Sequence, residues 1–263
     1  MGDDEVITHD LSNEEYHASD AISSSDVKAV LTTSLYHWKN KSFTSTAAMD
    51  LGTVVHDMVL ESGANSIRGP ENRRGKEWKE LKAEADAQGK TLLIESEYDT
   101  ADDMSAALMA DPTCAKVLAS KDGIREASLF AECPRTGLKL RCRPDIYVPS
   151  TRVMGDVKTT RDASPRGFAK QTYQLRYDVQ GAFYKYVAEL CDWDVDYFTF
   201  QAVESTRPHA VCMHALSNEA LELGKADMIL ALHQIAEAQQ KGEFTTNWPR
   251  FNMIHPPSWM AQD

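Results

Sequence analysis

The period of hydrophobic and polar positions changes about halfway along the chain. Up to about residue 120, apolar residues recur every three to four positions, as helices require; from Arg125 onward, short stretches alternate, as strands do. The first helical segment is SSSDVKAVLTTSLYHWKN. Val27, Val30, Leu31 and Leu35 line one face of it, and Ser23 with Asp26 forms a capping-box variant. A second helix is predicted from about 46 to 62, and helical character returns at 79–88 and from 96 to 119. Residues 1–22 read as an extended lead-in. Residues 63–79 lack an apolar period and are punctuated by Gly63, Gly69, Pro70 and Gly75, which predicts a loop.

In the second half EASLFAEC alternates, 134–137 makes a turn, and LKLRCRPDIYV alternates again. A third strand begins near Arg152. One long helix is predicted from 165 to 191, then the strands VDYFTFQAVES and HAVCMHAL, and a last helix from 217 to 241. The tail NWPRFNMIHPPSWM reads as a docked extension or a subunit contact. With no repeat, low-complexity tract or linker, the expectation is one α/β (α+β) domain over 1–263. Residues 1–120 would form its mainly helical half, 125–241 a sheet with flanking helices, and 242–263 an extension.

Composition narrows the function classes. Hydrophobic content of 42% and charged content of 26% are ordinary for a soluble globular chain of 263 residues. No apolar run approaches the roughly 18–20 residues of a membrane span, and the acidic start MGDDEVITHD is unlike a signal peptide, so a cytoplasmic protein without membrane contact is expected. Five scattered cysteines without a C-x-x-C pair argue against a disulfide scaffold, a zinc ribbon or an iron–sulfur cluster. A formal net charge of −12 counts against a freely sliding DNA-binding monomer. It is compatible with an enzyme that encloses DNA in a basic lining while its outside stays acidic.

The chemistry concentrates between Arg141 and Thr160. Asp145 follows Pro144, and eleven residues later come Asp156, Val157 and Lys158. On a strand Asp156 and Lys158 project to the same side, and Asp145 reaches that side if the two strands form a hairpin. Two carboxylates and one ammonium around a point suit a hard divalent cation and a water, the arrangement P-D-x(n)-[D/E]-x-K. Alone, Asp-x-Lys equally fits a solvated strand face with an ordinary ion pair. Glu126, at the start of the first strand, is either a third carboxylate for this point or an exposed strand-end acid. His56, beside Val55, Val59 and Leu60, is either a packed core histidine or a site residue. Tyr173, Tyr177, Gln180 and Tyr184 fall on one predicted helix face, where the buried Gln180 needs partners. Five basic residues, Arg68, Arg73, Arg74, Lys76 and Lys79, mark either a mobile surface loop or a DNA-contacting one. Gly69 to Lys76 is no phosphate-binding P-loop: its glycine gap is one residue too long, and Glu77 stands where Ser or Thr is required.

With these residues in place, the chain resembles RecE-type exonucleases (exonuclease VIII), within the RecB and lambda-exonuclease branch of the PD-(D/E)xK nucleases. The matching segments are LSNEEYHASDAISSSDVKAV, LGTVVHDMVLE, NRRGKEWK, RTGLKLRCRPD, DVKTT, LRYDVQGAFY and the WP and PPSW elements, in order over nearly the full length. The resemblance implies a restriction-endonuclease-like core, a central mixed β-sheet flanked by helices. It implies that His56, Asp145 and Asp156 ligate metal, with the Val157 carbonyl adding an oxygen and Glu126 supporting a second ion. Lys158 would position or activate water, and Gln180 and Tyr184 match a Q-x-x-x-Y element that steadies the site and touches the substrate strand. Arg73, Arg74, Lys76 and Tyr177 are the expected DNA contacts. The implied activity is Mg²⁺-dependent, with Mn²⁺ as a substitute and two ions per site. It digests linear duplex DNA from the 5′ end and leaves a 3′ strand for annealing in recombination. The implied partners are DNA ends, a RecT-like annealing protein, and further copies in a ring, a tetramer before a trimer. Lack of the family's long N-terminal extension points to a compact phage- or prophage-type enzyme or an excised nuclease domain. An endonuclease on the same fold and a noncatalytic DNA-binding or assembly protein are the rival readings.

Overall fold

A computed structural model describes residues 6–8, 11–42, 44–246 and 248–256. The N-terminal half runs β1 (Val6–Thr8), α1 (Asn13–Ala18), α2 (Ser24–Thr32), α3 (Leu35–Lys39), α4 (Ala47–Leu60), β2 (Ser66–Arg68), α5 (Gly75–Ala87), β3 (Thr91–Leu93), α6 (Glu95–Ala110) and α7 (Pro112–Leu118). The second half runs β4 (Ile124–Arg125), β5 (Ser128–Glu132), β6 (Lys139–Cys142), β7 (Ile146–Val148), β8 (Val153–Thr160), α8 (Pro165–Gln174), α9 (Tyr177–Leu190), β9 (Tyr197–Glu204), β10 (Val211–Ala215) and α10 (Asn218–Lys241).

The expected central mixed sheet is present, in the order β10-β9-β8-β7-β4. β8 and β9 pair in parallel over their length through the α8–α9 crossover, while the other neighbours are antiparallel. Strand alternation divides two apolar layers. Met154, Phe198, Phe200 and Ala202 face α2, α9 and α10, packing with Val27, Phe183 and Met228. Val157 and Val203 face the opposite way and pack with Val54, Val55, Met104 and Leu108 of α4 and α6. A second sheet, β1-β5-β6, and a parallel pair, β2-β3, flank this core.

Several elements differ from the sequence expectation. The stretch LKLRCRPDIYV is two strands: β6 belongs to the small sheet and β7 to the central one, with Arg143–Pro144–Asp145 between them. Proline offers no N–H to a ladder, so a break there is natural. The long helix over 165–191 is also two, because Arg176 adopts φ +55°, outside the helical region. Its guanidinium holds Asp178 at 3.1 Å and Asp227 of α10 at 2.5 Å. Tyr173 therefore lies on α8 and is exposed, leaving only Tyr177, Gln180 and Tyr184 as a common face. The helix over 96–119 divides at Asp111, which caps α7 ahead of Pro112. The 63–79 loop contains β2 and the start of α5, and the lead-in contains β1 and α1. The tail meets α3, where Tyr36 donates to the Thr245 carbonyl at 3.1 Å and the rings of His37 and Trp248 lie 5.4 Å apart. Phe251 and Ile254 beyond it are exposed. The ends of both the lead-in and the PPSW element lie outside the described residues. None of the five cysteines forms a disulfide, and among the described residues no helix is long and apolar enough to cross a membrane.

Helix α9 carries Tyr177, Gln180 and Tyr184, and α10 sets its position. At Gly224 the two helices approach so closely that a Cβ would collide with the backbone of Asp178 and Val179. Backbone cannot yield as a flexible side chain can. Gly224→Ala is expected to cost about 1–3 kcal/mol by overpacking, read as a lowered urea midpoint at unchanged m-value; an unchanged midpoint would show that the helices separate freely.

Candidate active site

The site forms where the chain passes twice between the two sheets. β4 pairs with β7, Ile124 opposite Tyr147 and Arg125 opposite Ile146. The backbone of Glu126 donates to the Asp145 carbonyl at 3.3 Å, extending that ladder by one residue. Glu126 then takes φ +51°, a strained conformation for a non-glycine residue, and the chain turns off into β5. The return passage runs through Arg143 and Pro144 into β7. Glu126 and Asp145 thus meet at one junction, although nineteen positions separate them.

β8 completes the arrangement. β7 pairs with it only as far as Gly155, so beyond that point the β7-side edge of β8 has no strand partner among the described residues. Side chains take over. The Val157 N–H donates to Asp145 Oδ2 at 2.6 Å, and the Val157 carbonyl accepts from His56 Nε2 at 2.8 Å. A carbonyl only accepts, which assigns the proton to Nε2. Nδ1 of the same ring faces Asp145 Oδ2 at 3.2 Å. His56 reaches this edge from α4, on the face of the sheet opposite α9. On the α9 side, Asp156 and Lys158 are in direct ionic contact, as strand alternation predicts. Gln180 Nε2 donates to Asp156 Oδ1 at 2.7 Å, so the buried glutamine has the partner its burial demands.

Of the residues selected from sequence, the structure brings together His56, Glu126, Asp145, Asp156, Val157, Lys158 and Gln180. Tyr184 stands half-buried one turn beyond Gln180, with its ring edge-on to Phe198. Tyr177 is buried, packs on Phe168 and Phe200, and lies 5.2 Å from Lys158 Nζ, so little of its ring faces outward. Arg73 pairs with Glu97 at 2.6 Å and stacks near Trp78, Lys76 pairs with Glu80 at 3.3 Å, and Arg74 is the residue before α5; these contacts lie on α5 and α6.

Two cations escaped the sequence reading. Lys28 of α2 has Nζ 3.5 Å from Gln180 Oε1. It occupies the apolar stripe of its helix, between Val27 and Leu31, and a lysine in such a stripe was the available signal. Arg143 donates to Ser128 Oγ at 2.8 Å and to the Leu11 carbonyl at 2.9 Å, and it lies over the Tyr16 ring at 4.2 Å. Its charge acts on Glu126. No residue type or spacing in the sequence marks it.

Electrostatics make the cluster a receptor for positive charge. Burial, followed by repulsion from Asp145, raises the Glu126 carboxyl to about 8. Burial raises Asp145 to about 6, although His56 opposes the shift. Burial disfavours the Lys158 ammonium too, but the charges of Asp156, Tyr177 and Asp145 outweigh it, and its pKa rises above the ordinary value. Burial and the neighbouring Lys158 lower Lys28 to about 8.

The donor set fits a divalent ion. Ligand atoms of His56, Glu126 and Asp145 lie within 4.8 Å of one another. The 3.2 Å separation of His56 Nδ1, the ring nitrogen left without a proton, from Asp145 Oδ2 approaches the roughly 3 Å between adjacent ligands of an octahedral ion with ~2.0–2.1 Å bonds. Asp156 Oδ2 is buried, touches Lys158 and accepts no well-formed hydrogen bond, which leaves a lone pair for a cation.

A mixed sheet with this carboxylate–lysine edge is the core of the PD-(D/E)xK nuclease superfamily. The chain belongs to a family described as a PDDEXK-like domain of unknown function (DUF3799), which matches residues 23–249. A protein from Eubacterium rectale, provisionally described as an exonuclease, has a similar crystal structure: TM-score 0.67, 14% identity, 96% of this chain and 98% of that one. A phage-related exonuclease from Haemophilus somnus 129PT aligns over 89% of this chain and 86% of that one, at 12% identity and a TM-score of 0.41. No curated protein sequence matches this one.

The raised carboxyl pKa values set a pH dependence. In EDTA the folded protein holds protons on Glu126 and Asp145 that the unfolded chain releases near pH 4. Their contribution to stability is complete below pH 4 and is lost as pH rises through about 6 and then 8. The urea midpoint should fall across this window, on the order of a few kcal/mol at most. Glu126→Gln should flatten the fall, and saturating Mn²⁺ should reverse it. A wild-type midpoint that does not change with pH would contradict the charge assignment.

Proposed function

We propose that this protein is a divalent-metal-dependent exodeoxyribonuclease. It degrades one strand of linear duplex DNA from the 5′ end and leaves a 3′ single strand. The observation that carries the reading is the convergence of Asp145, Asp156 and Lys158 with His56, Glu126 and the Val157 carbonyl on the unpaired edge of β8. Asp145, Asp156, His56 and the Val157 carbonyl would hold Mg²⁺, or Mn²⁺ in its place, with Glu126 supporting a second ion. The bound cations would lower the pKa of a water and neutralise charge at the scissile phosphate.

The chain's own groups carry the remaining work. Against the cost of burial, the charges of Asp156, Tyr177 and Asp145 favour the Lys158 ammonium, and as an ammonium it would orient the attacking water and offset charge building on the phosphate. Gln180 fixes the Asp156 carboxylate through its amide. Burial of the cluster keeps these interactions in low dielectric, where they are strongest. A ring of copies around DNA would reconcile digestion along a duplex with the −12 charge, because each copy could turn its basic residues inward. A RecT-like annealing protein is the partner that the exposed 3′ strand would meet.

Linear DNA labelled at the 5′ or 3′ end, beside covalently closed circles, tests this reading in Mg²⁺ and in EDTA. Expected are early release of the 5′ label only, intact circles, and a rate reduced about 10²–10³-fold in Lys158→Ala. Cut circles would make the protein an endonuclease; no metal-dependent cutting would make it a noncatalytic relative.

The basic segment is tested separately. Charge reversal at Arg73, Arg74 and Lys76 should weaken DNA binding and lower the slope of log K against log salt by about 0.9 per lost phosphate contact. An unchanged slope would show that none of the three meets DNA and that Arg73 and Lys76 serve only their ion pairs with Glu97 and Glu80.

A further inference from the structure

Lys28 is a buried-face cation that the proposed reaction does not yet use. Its Nζ lies 3.5 Å from Gln180 Oε1, and Gln180 Nε2 lies 2.7 Å from Asp156 Oδ1. Asp156 in turn touches Lys158 through its other oxygen. The four groups form an alternating line: ammonium, amide, carboxylate, ammonium. A lysine ammonium has only donors and an ionised carboxylate only acceptors, so a glutamine amide between them satisfies both in one orientation alone. Its oxygen must face Lys28 and its NH₂ must face Asp156. The flipped amide would set donor against donor at one end and acceptor against acceptor at the other. At 3.5 Å the Lys28 contact is long, but it still selects the amide orientation because a unit charge acts on the full carbonyl dipole. The Tyr177 ring supports both ends, with Lys28 Nζ 5.7 Å and Lys158 Nζ 5.2 Å from its centroid.

We infer that Lys28 is a positioning residue, which locks the Gln180 amide and through it holds the Asp156 carboxylate ready for the cation and Lys158. The kinetic part of this inference rests on the nuclease reading; the structural part does not. A lysine that met DNA directly would behave differently, and the test separates the two.

The variants are Lys28→Met, Lys28→Arg, Gln180→Ala and the Lys28→Met/Gln180→Ala pair. In EDTA, nitrogen-15 spectra should show the Gln180 side-chain amide, assigned by its loss in Gln180→Ala, moving toward solvated glutamine in Lys28→Met and returning in Lys28→Arg. The same spectra report that each variant is folded. Calorimetric Mn²⁺ binding without DNA should weaken about tenfold in Lys28→Met, as for other groups that orient metal ligands. The double variant should bind Mn²⁺ and cut DNA no worse than Gln180→Ala. An unmoved amide resonance would overturn the inference. So would losses in cutting that multiply in the double variant, since these assign Lys28 a contact of its own with substrate. Wild type that shows the amide and Mn²⁺ effects yet cuts no DNA would refute the nuclease reading and leave the relay standing.

Discussion

Past Gly155, one side of β8 pairs with neither β7 nor any other strand among the described residues, and the Val157 peptide lies on that side. A buried peptide left unpaired would cost on the order of 1–3 kcal/mol. Here Asp145 accepts its N–H and His56 donates to its carbonyl, so two side chains replace a missing strand. The same replacement gathers an imidazole, a carboxylate and a backbone oxygen around one point. The gap in the ladder and the formation of the site are therefore one structural event.

The remaining carboxylates arrive for topological reasons. Chain crossings between the central and small sheets occur at Glu126 and at Arg143–Asp145, and these crossings are hydrogen-bonded neighbours. A crossing needs a residue that leaves the ladder. Glu126 does so with a positive φ, and Pro144 does so because it has no N–H. Burial there raises both pKa values, with repulsion from Asp145 adding to the rise of Glu126 and repulsion from Asp156 adding to that of Asp145. Such a cluster is poorly stabilised by protein groups alone. The repulsion between these carboxylates is what a divalent cation would offset.

The reading from sequence was strongest where local pattern and tertiary structure agree. Alternation correctly put Asp156 and Lys158 on one side of β8, the Ser23–Asp26 box began its helix as expected, and the last helix begins within a residue of its expected start. It failed where a tertiary contact overrode the pattern. Arg176 breaks an otherwise continuous apolar period because Asp178 and Asp227, fifty-one positions away from Arg176 in the second case, hold its guanidinium. LKLRCRPDIYV keeps its alternation across Pro144 while changing sheets, and period alone cannot reveal which sheet a strand joins. The first three strands have only three residues each, too few for a period to register. For the site, spacing grouped Asp145, Asp156 and Lys158 but left a solvated ion pair equally open, and they, like His56 and Glu126, needed family resemblance to choose between two readings. Lys28 went unselected because polar residues in an apolar stripe are ordinarily tolerated at the surface end of a side chain.

Charge placement shows how an acidic chain could act on the polyanionic substrate proposed above. The acidic excess lies largely in residues 3–20 and on helix α6, while ion pairs such as Arg68–Asp99 and Lys82–Asp86 are exposed and contribute little energy. Lys28 and Lys158 are instead drawn into the space above Asp156, and Arg143 stands beside Glu126. In low dielectric each of these cations counts for more than a surface lysine does. If the proposed activity holds, a phosphate at this edge would meet the local field of three cations and a candidate metal cluster, whatever the sum over the whole chain.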